Sequence, residues 1–315
     1  MGRDGVRRLP QPGPATLAPP PARPHPVPMS APAPHAHAGA HRLRAVLLML
    51  AAVGCFALMD AALKHLSTSY PPFQVAALRG LASLPLVLAW ALLTAPPASL
   101  VRIRWPLHLM RGGMGVLMMA SFVYALRTLP LSTAYTIFFI APLLITALSV
   151  PVLGEKVGPR RWTAIAIGFI GVLVVLRPTG DGLASLAGLA VLASALGYSV
   201  GAITVRVLAR TDSTQSMVVW LMACIALGAT LLALPDWRPI DPAHGWLIAG
   251  IGIAGALGQY TVTEAFRHGE ASLIAPLEYT ALLWGVALDF SLWGVLPDGV
   301  TWVGAAIIVL SGLYL

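Results

Sequence analysis

The strongest constraint on this chain is a series of about ten apolar segments of membrane-spanning length, the second half of which echoes the first. Crossing ~30 Å of hydrocarbon takes ~20 apolar residues in a helix. Such segments fall at 45–66, 73–94, 107–127, 131–153 and 161–177, then at 184–206, 214–234, 245–266, 271–294 and 299–315. At an offset of 140 residues Gly112 and Gly115 return as Gly252 and Gly255, Ala125 and Arg127 as Ala265 and Arg267. Ser132 returns as Ser272, Gly154 as Gly294 and Trp162 as Trp302. Over 124–172 the match is 11 identities in 49 positions, against roughly one in ten expected for so Ala- and Leu-rich a chain. Five spans per half is an odd number, so the second half enters the bilayer from the opposite side, the inverted arrangement of many secondary transporters. The expected fold is all-α integral membrane, ten transmembrane helices in two inverted five-helix repeats.

The charge content agrees. Only 10% of residues are charged, where a soluble domain carries about 25%, too few to build a polar skin. The net charge of +8 does not point to nucleic acid, because the basic residues cluster between apolar spans. Their distribution sets orientation instead. With a cytoplasmic N-terminus, the inner loops hold Arg102, Arg104, Lys156, Arg160, Arg161, Arg206, Arg210 and Arg267, and the outer side only Arg127, Arg177 and Arg238. Both termini are therefore expected inside an inner (plasma) membrane. Cys55 and Cys224 fall within spans and read as structural thiols.

Residues 1–43 stand apart. Eleven prolines lie between Pro10 and Pro34, with no apolar run. Such sequence buries too little surface to offset its ordering entropy, so it reads as a disordered cytoplasmic tail. Its histidines, His25, His35, His37 and His41, fit no helix face and suggest no metal site. Met29 is an alternative start. The remaining chain divides at 44–178 and 183–315.

Ionisable groups inside spans are costly and are the first candidates for function. Six stand out: Asp60, Lys64, Arg79, Glu264, Glu278 and Asp289. Asp60 and Lys64 are one helical turn apart and can pair. Arg79 either receives an anionic substrate group or pairs with Asp60. Glu264 and Asp289 lie nearer span ends and read as interfacial charges. Glu278 lies near the middle of span nine, two residues after Pro276, beside Tyr279 and Thr280. A proline kink, a carboxyl and two hydroxyls there make a polar pocket and a site able to take and release a proton. Pro142 is the corresponding kink in span four. Trp284 and Tyr260 could stack on a flat substrate. Gly112, Gly115, Gly252, Gly255 and Gly258 suit close helix approach; the dinucleotide-binding spacing at Gly250, Gly252 and Gly255 follows no strand and is accidental.

These residues carry a resemblance. Arg127-Thr128-Leu129-Pro130-Leu131-Ser132-Thr133-Ala134, Ala141-Pro142-Leu143, Leu153-Gly154-Glu155-Lys156-Val157 and Ala275-Pro276-Leu277-Glu278-Tyr279-Thr280 resemble the drug/metabolite transporter superfamily. So do Pro72-Phe73-Gln74 with Leu78-Arg79, and Gly304 to Gly312. The similarity is to the ten-span branch built from two EamA domains, and it covers about 44–315. It implies a carrier of small metabolites with the substrate in a cavity between the halves. The Pro-x-Glu-Tyr-Thr variant is similar to a subgroup that includes riboflavin and S-adenosylmethionine uptake carriers; many relatives are exporters. One departure is the run Gly294-Val295-Leu296-Pro297-Asp298, which lacks the usual Gly-Glu. The expected partners are a small organic molecule, the bilayer and protons, with no cofactor, metal or nucleic acid. Nothing in the sequence indicates a homodimer. A membrane enzyme would need a His/Asp/Glu or Ser/His cluster, and the only histidines in spans, His65 and His108, lie near their edges. A non-transporting scaffold or receptor would need no acid such as Glu278.

Overall fold

The protein is described by a computed structural model covering residues 34–154, 156–176, 182–268 and 275–314. The expectations placed on the tail before residue 34, on Glu155, on Arg177 and on Ser272 lie outside these residues, as do the side chains of Arg267 and Pro276. Among the described residues all regular structure is helical. The helices are α1 (Pro34–Ser67), α2 (Pro72–Thr94), the short α3 (Pro97–Val101), α4 (Trp105–Leu126), α5 (Leu131–Phe138) and α6 (Ala141–Leu153). They continue with α7 (Pro159–Leu176), α8 (Gly182–Leu208), α9 (Thr214–Ala233), α10 (Gly245–His268), α11 (Ala281–Leu288) and α12 (Gly299–Tyr314).

Among the described residues, eight helical stretches are long and apolar enough to cross a membrane, from Leu43–Ser67 to Pro242–Val262. This makes the chain an all-α, multi-pass membrane protein. The expected count of ten is not reached by that measure. The ninth expected span, 271–294, is broken: a 3-10 turn (Ala275–Thr280) leads into α11, which ends in a π-helical turn, Asp289–Trp293. The last helix, α12, has 16 residues. The fourth expected span remains one membrane-length stretch, Leu131–Leu153, with a turn at Phe139–Ile140 between α5 and α6. Pro142 sits in the first turn of α6, and the turn at Phe139–Ile140 falls just before it, where a proline removes the bond to the Phe138 carbonyl. Pro85 and Pro151 are the prolines inside helices α2 and α6.

Helices pair across the two halves. α1 packs on α10, and α4 on α8; α2 packs on α9, α7 on α12, and α5 on α11. Exchanging the halves converts the first pair into the second and leaves each of the others in place, which is the pattern of a twofold relation between repeats. The matched glycines show why the sequence echo exists. Gly154 and Gly294 both end a helix in the left-handed conformation, with φ of 70° and 65°, where a side chain would be strained. Gly112 on α4 faces Cys224 of α9, and Gly252 on α10 faces the Ala82 backbone of α2. A Cβ at Gly252 would stand 2.6 Å from the Ala82 carbonyl oxygen, so the helices touch at backbone distance. Gly115, Gly255 and Gly258 abut the side chains of Leu221, Ser83 and Phe56.

Candidate functional site

Two polar groupings occupy the bundle. The first centres on Asp289, which is 0% exposed. Its carboxylate accepts hydrogen bonds from the Leu131 N–H (3.0 Å), the Ser132 N–H (2.8 Å) and the Ser132 hydroxyl (2.7 Å). It therefore caps the N-terminus of α5, whose own N-cap, Pro130, supplies no side-chain bond. Lys64 Nζ completes the shell at 3.0 Å and lies 4.3 Å from the Trp293 ring centre. Two expectations are corrected here. Lys64 pairs with Asp289 rather than with Asp60 one turn away, and Asp289 is no interfacial charge. The π-helical turn carries it inward, against the opposite repeat.

Asp60 instead accepts a hydrogen bond from Tyr135 of α5 at 2.9 Å. Arg79 faces Met59, with Nε 3.4 Å from the sulfur, and its charge acts on Asp60 without the two forming a close ion pair. Asp60 and Arg79 are both half-buried. An aromatic wall runs on from Tyr135. Phe122 stacks on Tyr135 at 6.4 Å and meets Phe138 edge-on at 5.8 Å, and Phe138 meets Tyr198 at 5.4 Å. Tyr198 lies in the interior of α8, yet keeps 39% of its surface accessible, so it borders open space.

The second grouping gathers at Tyr198, whose hydroxyl lies within the electrostatic reach of Glu278 and of Arg111. Glu278 is half-buried on the 3-10 turn. Tyr279 packs edge-on against Phe139 at 5.0 Å and sits over Gly312, while the Thr280 hydroxyl donates to the Leu277 carbonyl. The Thr280 hydroxyl is thus taken up by the backbone, while Tyr279 stays within the electrostatic reach of Glu278, as does Tyr198 of α8. Trp284, 40% exposed, lies against Gly54 of α1. Tyr260 is apart from this region, in an apolar groove between α2 and α10 with Leu86, Trp90 and Leu257. Glu264, on α10, has partners of its own.

Arg111 was absent from the expected set. It sits early in the 107–127 segment, where basic residues pass for interfacial anchors, and only the folded arrangement turns it toward Tyr198. His108, one turn earlier, bonds Asp212 in the α8–α9 turn at 2.8 Å. The Arg104 N–H reaches the same carboxylate at 3.1 Å. Burial opposes the Asp212 charge, but hydrogen bonds from Thr211, His108 and Arg104 outweigh it and hold the carboxyl below its ordinary range. Among the described residues no group of three or more His, Cys, Asp or Glu side chains could hold a metal.

Known proteins fit this architecture. The profile of the EamA-like transporter family matches twice, over residues 43–177 and 185–315. A riboflavin transporter of Vibrio cholerae is 31% identical over 275 residues, covering 86% of this chain and 92% of its own. The pseudopaline exporter CntI of Pseudomonas aeruginosa is 26% identical, covering 84% and 93%. An S-adenosylmethionine uptake transporter of Rickettsia prowazekii is also 26% identical, covering 81% and 86%. A crystal structure superposes with a TM-score of 0.60 at 23% identity, over 86% of this chain and 95% of that one, a likeness of fold. The chain belongs to the EamA-like transporter family and is a membrane transporter of small metabolites, not an enzyme.

Proposed function

We propose that this protein is a secondary transporter that moves a small organic metabolite across the inner (plasma) membrane by alternating access, coupled to protons, with both termini in the cytoplasm. The observation that carries this reading is the pair of irregular turns within the fourth and ninth stretches, 139–140 and 275–280, with accessible polar and aromatic side chains beside them. Discontinuous helices at a repeat interface are where transporters of this architecture bind substrate and coupling ion. The proposed substrate path runs past Asp60, Arg79, Trp284, Tyr198 and Glu278; Tyr279 and Thr280 shape the turn that presents Glu278. Substrates of the chemistry named for the relatives, such as riboflavin and S-adenosylmethionine, combine a planar ring with polar groups, which suits an aromatic wall flanked by charges.

Glu278 is the proposed coupling acid. Purified protein in sealed liposomes should accumulate substrate under an imposed proton gradient. Glu278→Gln keeps the volume but cannot ionise; it should insert normally, lose proton-driven accumulation and retain substrate exchange. Accumulation equal to wild type across roughly pH 5–8 would remove Glu278 from this role and make Asp60 the next acid to test.

A further inference from the structure

We propose that Asp289, Lys64 and Ser132 form the gate of one mouth of the carrier: the clasp holds that mouth shut in the resting protein and opens once in each transport cycle. This rests on the carrier reading above and names the residues that close one of its two mouths. The clasp joins the halves. Lys64 on α1 and the start of α5 belong to the first half, and the π-helical turn belongs to the second. Onto the Asp289 carboxylate the first half donates Lys64 Nζ at 3.0 Å, the Leu131 N–H at 3.0 Å, and the Ser132 N–H and hydroxyl at 2.8 and 2.7 Å. Lys64 Nζ also faces the Trp293 ring at 4.3 Å. These groups lie at the end of the bundle that carries the α1–α2 turn, since Lys64 is in the last turn of α1 and Trp293 directly precedes Gly294. In the proposed orientation this end is the outer face.

The clasp is one-sided, and this marks it as a gate. Another joint between the halves is made twice. Tyr70, just before α2, hydrogen-bonds His244, which directly precedes α10, at 2.8 Å. Asp212, just before α9, accepts from the N–H of Arg104, which directly precedes α4, at 3.1 Å. Exchanging the halves converts one joint into the other. Both are made at once, at opposite ends of the bundle, so they tie the frame. The clasp differs. Gly154 and Gly294 fix the correspondence, because each ends its helix in the left-handed conformation. Counting back from them, Asp289 answers to Ser149 and Trp293 to Leu153. Ser149 is 1% exposed, and its hydroxyl donates to the Thr146 carbonyl of its own helix at 2.8 Å. A hydroxyl and an aliphatic side chain offer a cation neither a charge nor a ring face, so the opposite mouth has no ionic clasp at that place.

A buried ion pair is a poor source of stability, because desolvation consumes much of the attraction; its best-attested use is to specify one arrangement over another. Opening the mouth admits water to both charges, and water replaces the bonds that are lost. The closed and open states then differ by the small net worth of those bonds and not by the cost of an orphaned charge. Such a clasp biases a two-state equilibrium without locking it. Because the two mouths are unequally clasped, the resting carrier is shut at the α1–α2 end.

The test reads both mouths by pulsed spin-label distances on the purified full chain in lipid vesicles, with no substrate present. Nitroxides go on the exposed positions Thr68→Cys and Leu296→Cys at the clasp end. A second sample carries them on the exposed counterparts at the other end, Arg210→Cys and Lys156→Cys. Cys55→Ala and Cys224→Ala remove the native thiols. With the clasp intact, the clasp-end pair should show one dominant short distance. Lys64→Met should raise the share of a longer distance about tenfold, which is what the loss of one charge-assisted bond supplies. The pair at the other end should shorten in step. Ser132→Ala removes a single hydroxyl, keeps both charges, and should act more weakly in the same direction; it carries the test if Lys64→Met does not fold. Clasp-end distances that match the intact protein in every variant that folds overturn the gate and leave the carrier reading standing. A longer clasp-end distance with no answering change at the other end supports the gate and overturns alternating access. A clasp that served stability alone would lower the unfolding midpoint of Lys64→Met and leave both distances where they were.

Discussion

Asp289 shows how much one side chain can hold. Its two oxygens accept from two backbone N–H groups, a hydroxyl and an ammonium, joining α1, α5 and the π-helical turn. Breaking a buried ion pair by removing one partner costs about 3–5 kcal/mol, since the other charge stays buried without compensation. Asp289→Asn should therefore destabilise the protein by about that much, read as a lower unfolding midpoint in detergent. Lys64→Met with Asp289→Asn should recover part of the loss, because no orphaned cation remains. A single variant as stable as wild type would show that the pair contributes nothing. The pairing itself could not be read from spacing: residues 60 and 64 share a helix face, but Lys64 reaches across 225 positions to Asp289. Tyr135 takes up Asp60 in its place. The bond from Arg111 to the Met217 carbonyl of α9 is equally invisible to spacing, since depth along one helix says nothing about which neighbours surround it.

At the scale of elements, the joint between the start of α4 and the α8–α9 turn is the clearest electrostatic contact outside the spans. Asp212 draws the Arg104 N–H and His108 onto one carboxylate. Because its folded-state pKa is lowered, the unfolded chain protonates first as pH falls. The stabilisation is complete above the ordinary aspartate range, near pH 3.9, and disappears as pH drops through the lower folded value. The difference in unfolding midpoint between wild type and Asp212→Asn should stay constant from neutral pH to about pH 5 and shrink below about pH 4. A difference that grows on acidification would contradict the assignment. The repeat glycines, in contrast, were legible in advance. Gly112 with Gly252 and Gly154 with Gly294 recur because a close contact with the facing helix, on the Cys224 side chain and the Ala82 backbone, and a left-handed helix end leave no room for a side chain.

For the whole molecule, orientation follows from the basic loops. Reporter fusions after residue 240, in the α9–α10 connection, should report the outside, and fusions after Leu315 the inside; the reverse pattern would invert the topology. Length and apolarity by themselves determined that this chain lives in a bilayer and is built of helices, because a backbone in hydrocarbon must bond to itself. The 140-residue echo determined that it has two related halves. Proline marked irregularity in the fourth and ninth apolar stretches, but periodicity could not reveal that the ninth passes from a 3-10 turn through α-helix to a π-helical turn. An apolar run looks the same whether its backbone is α-helical, 3-10 or π, and the choice is made by what packs against it: Tyr279 on Phe139 and Gly312, and Asp289 on the start of α5. The π-helical turn is where Asp289 meets Lys64. The membrane class was thus written in composition, while the polar interior was decided by contacts between residues far apart in the chain, which only the folded arrangement brings together.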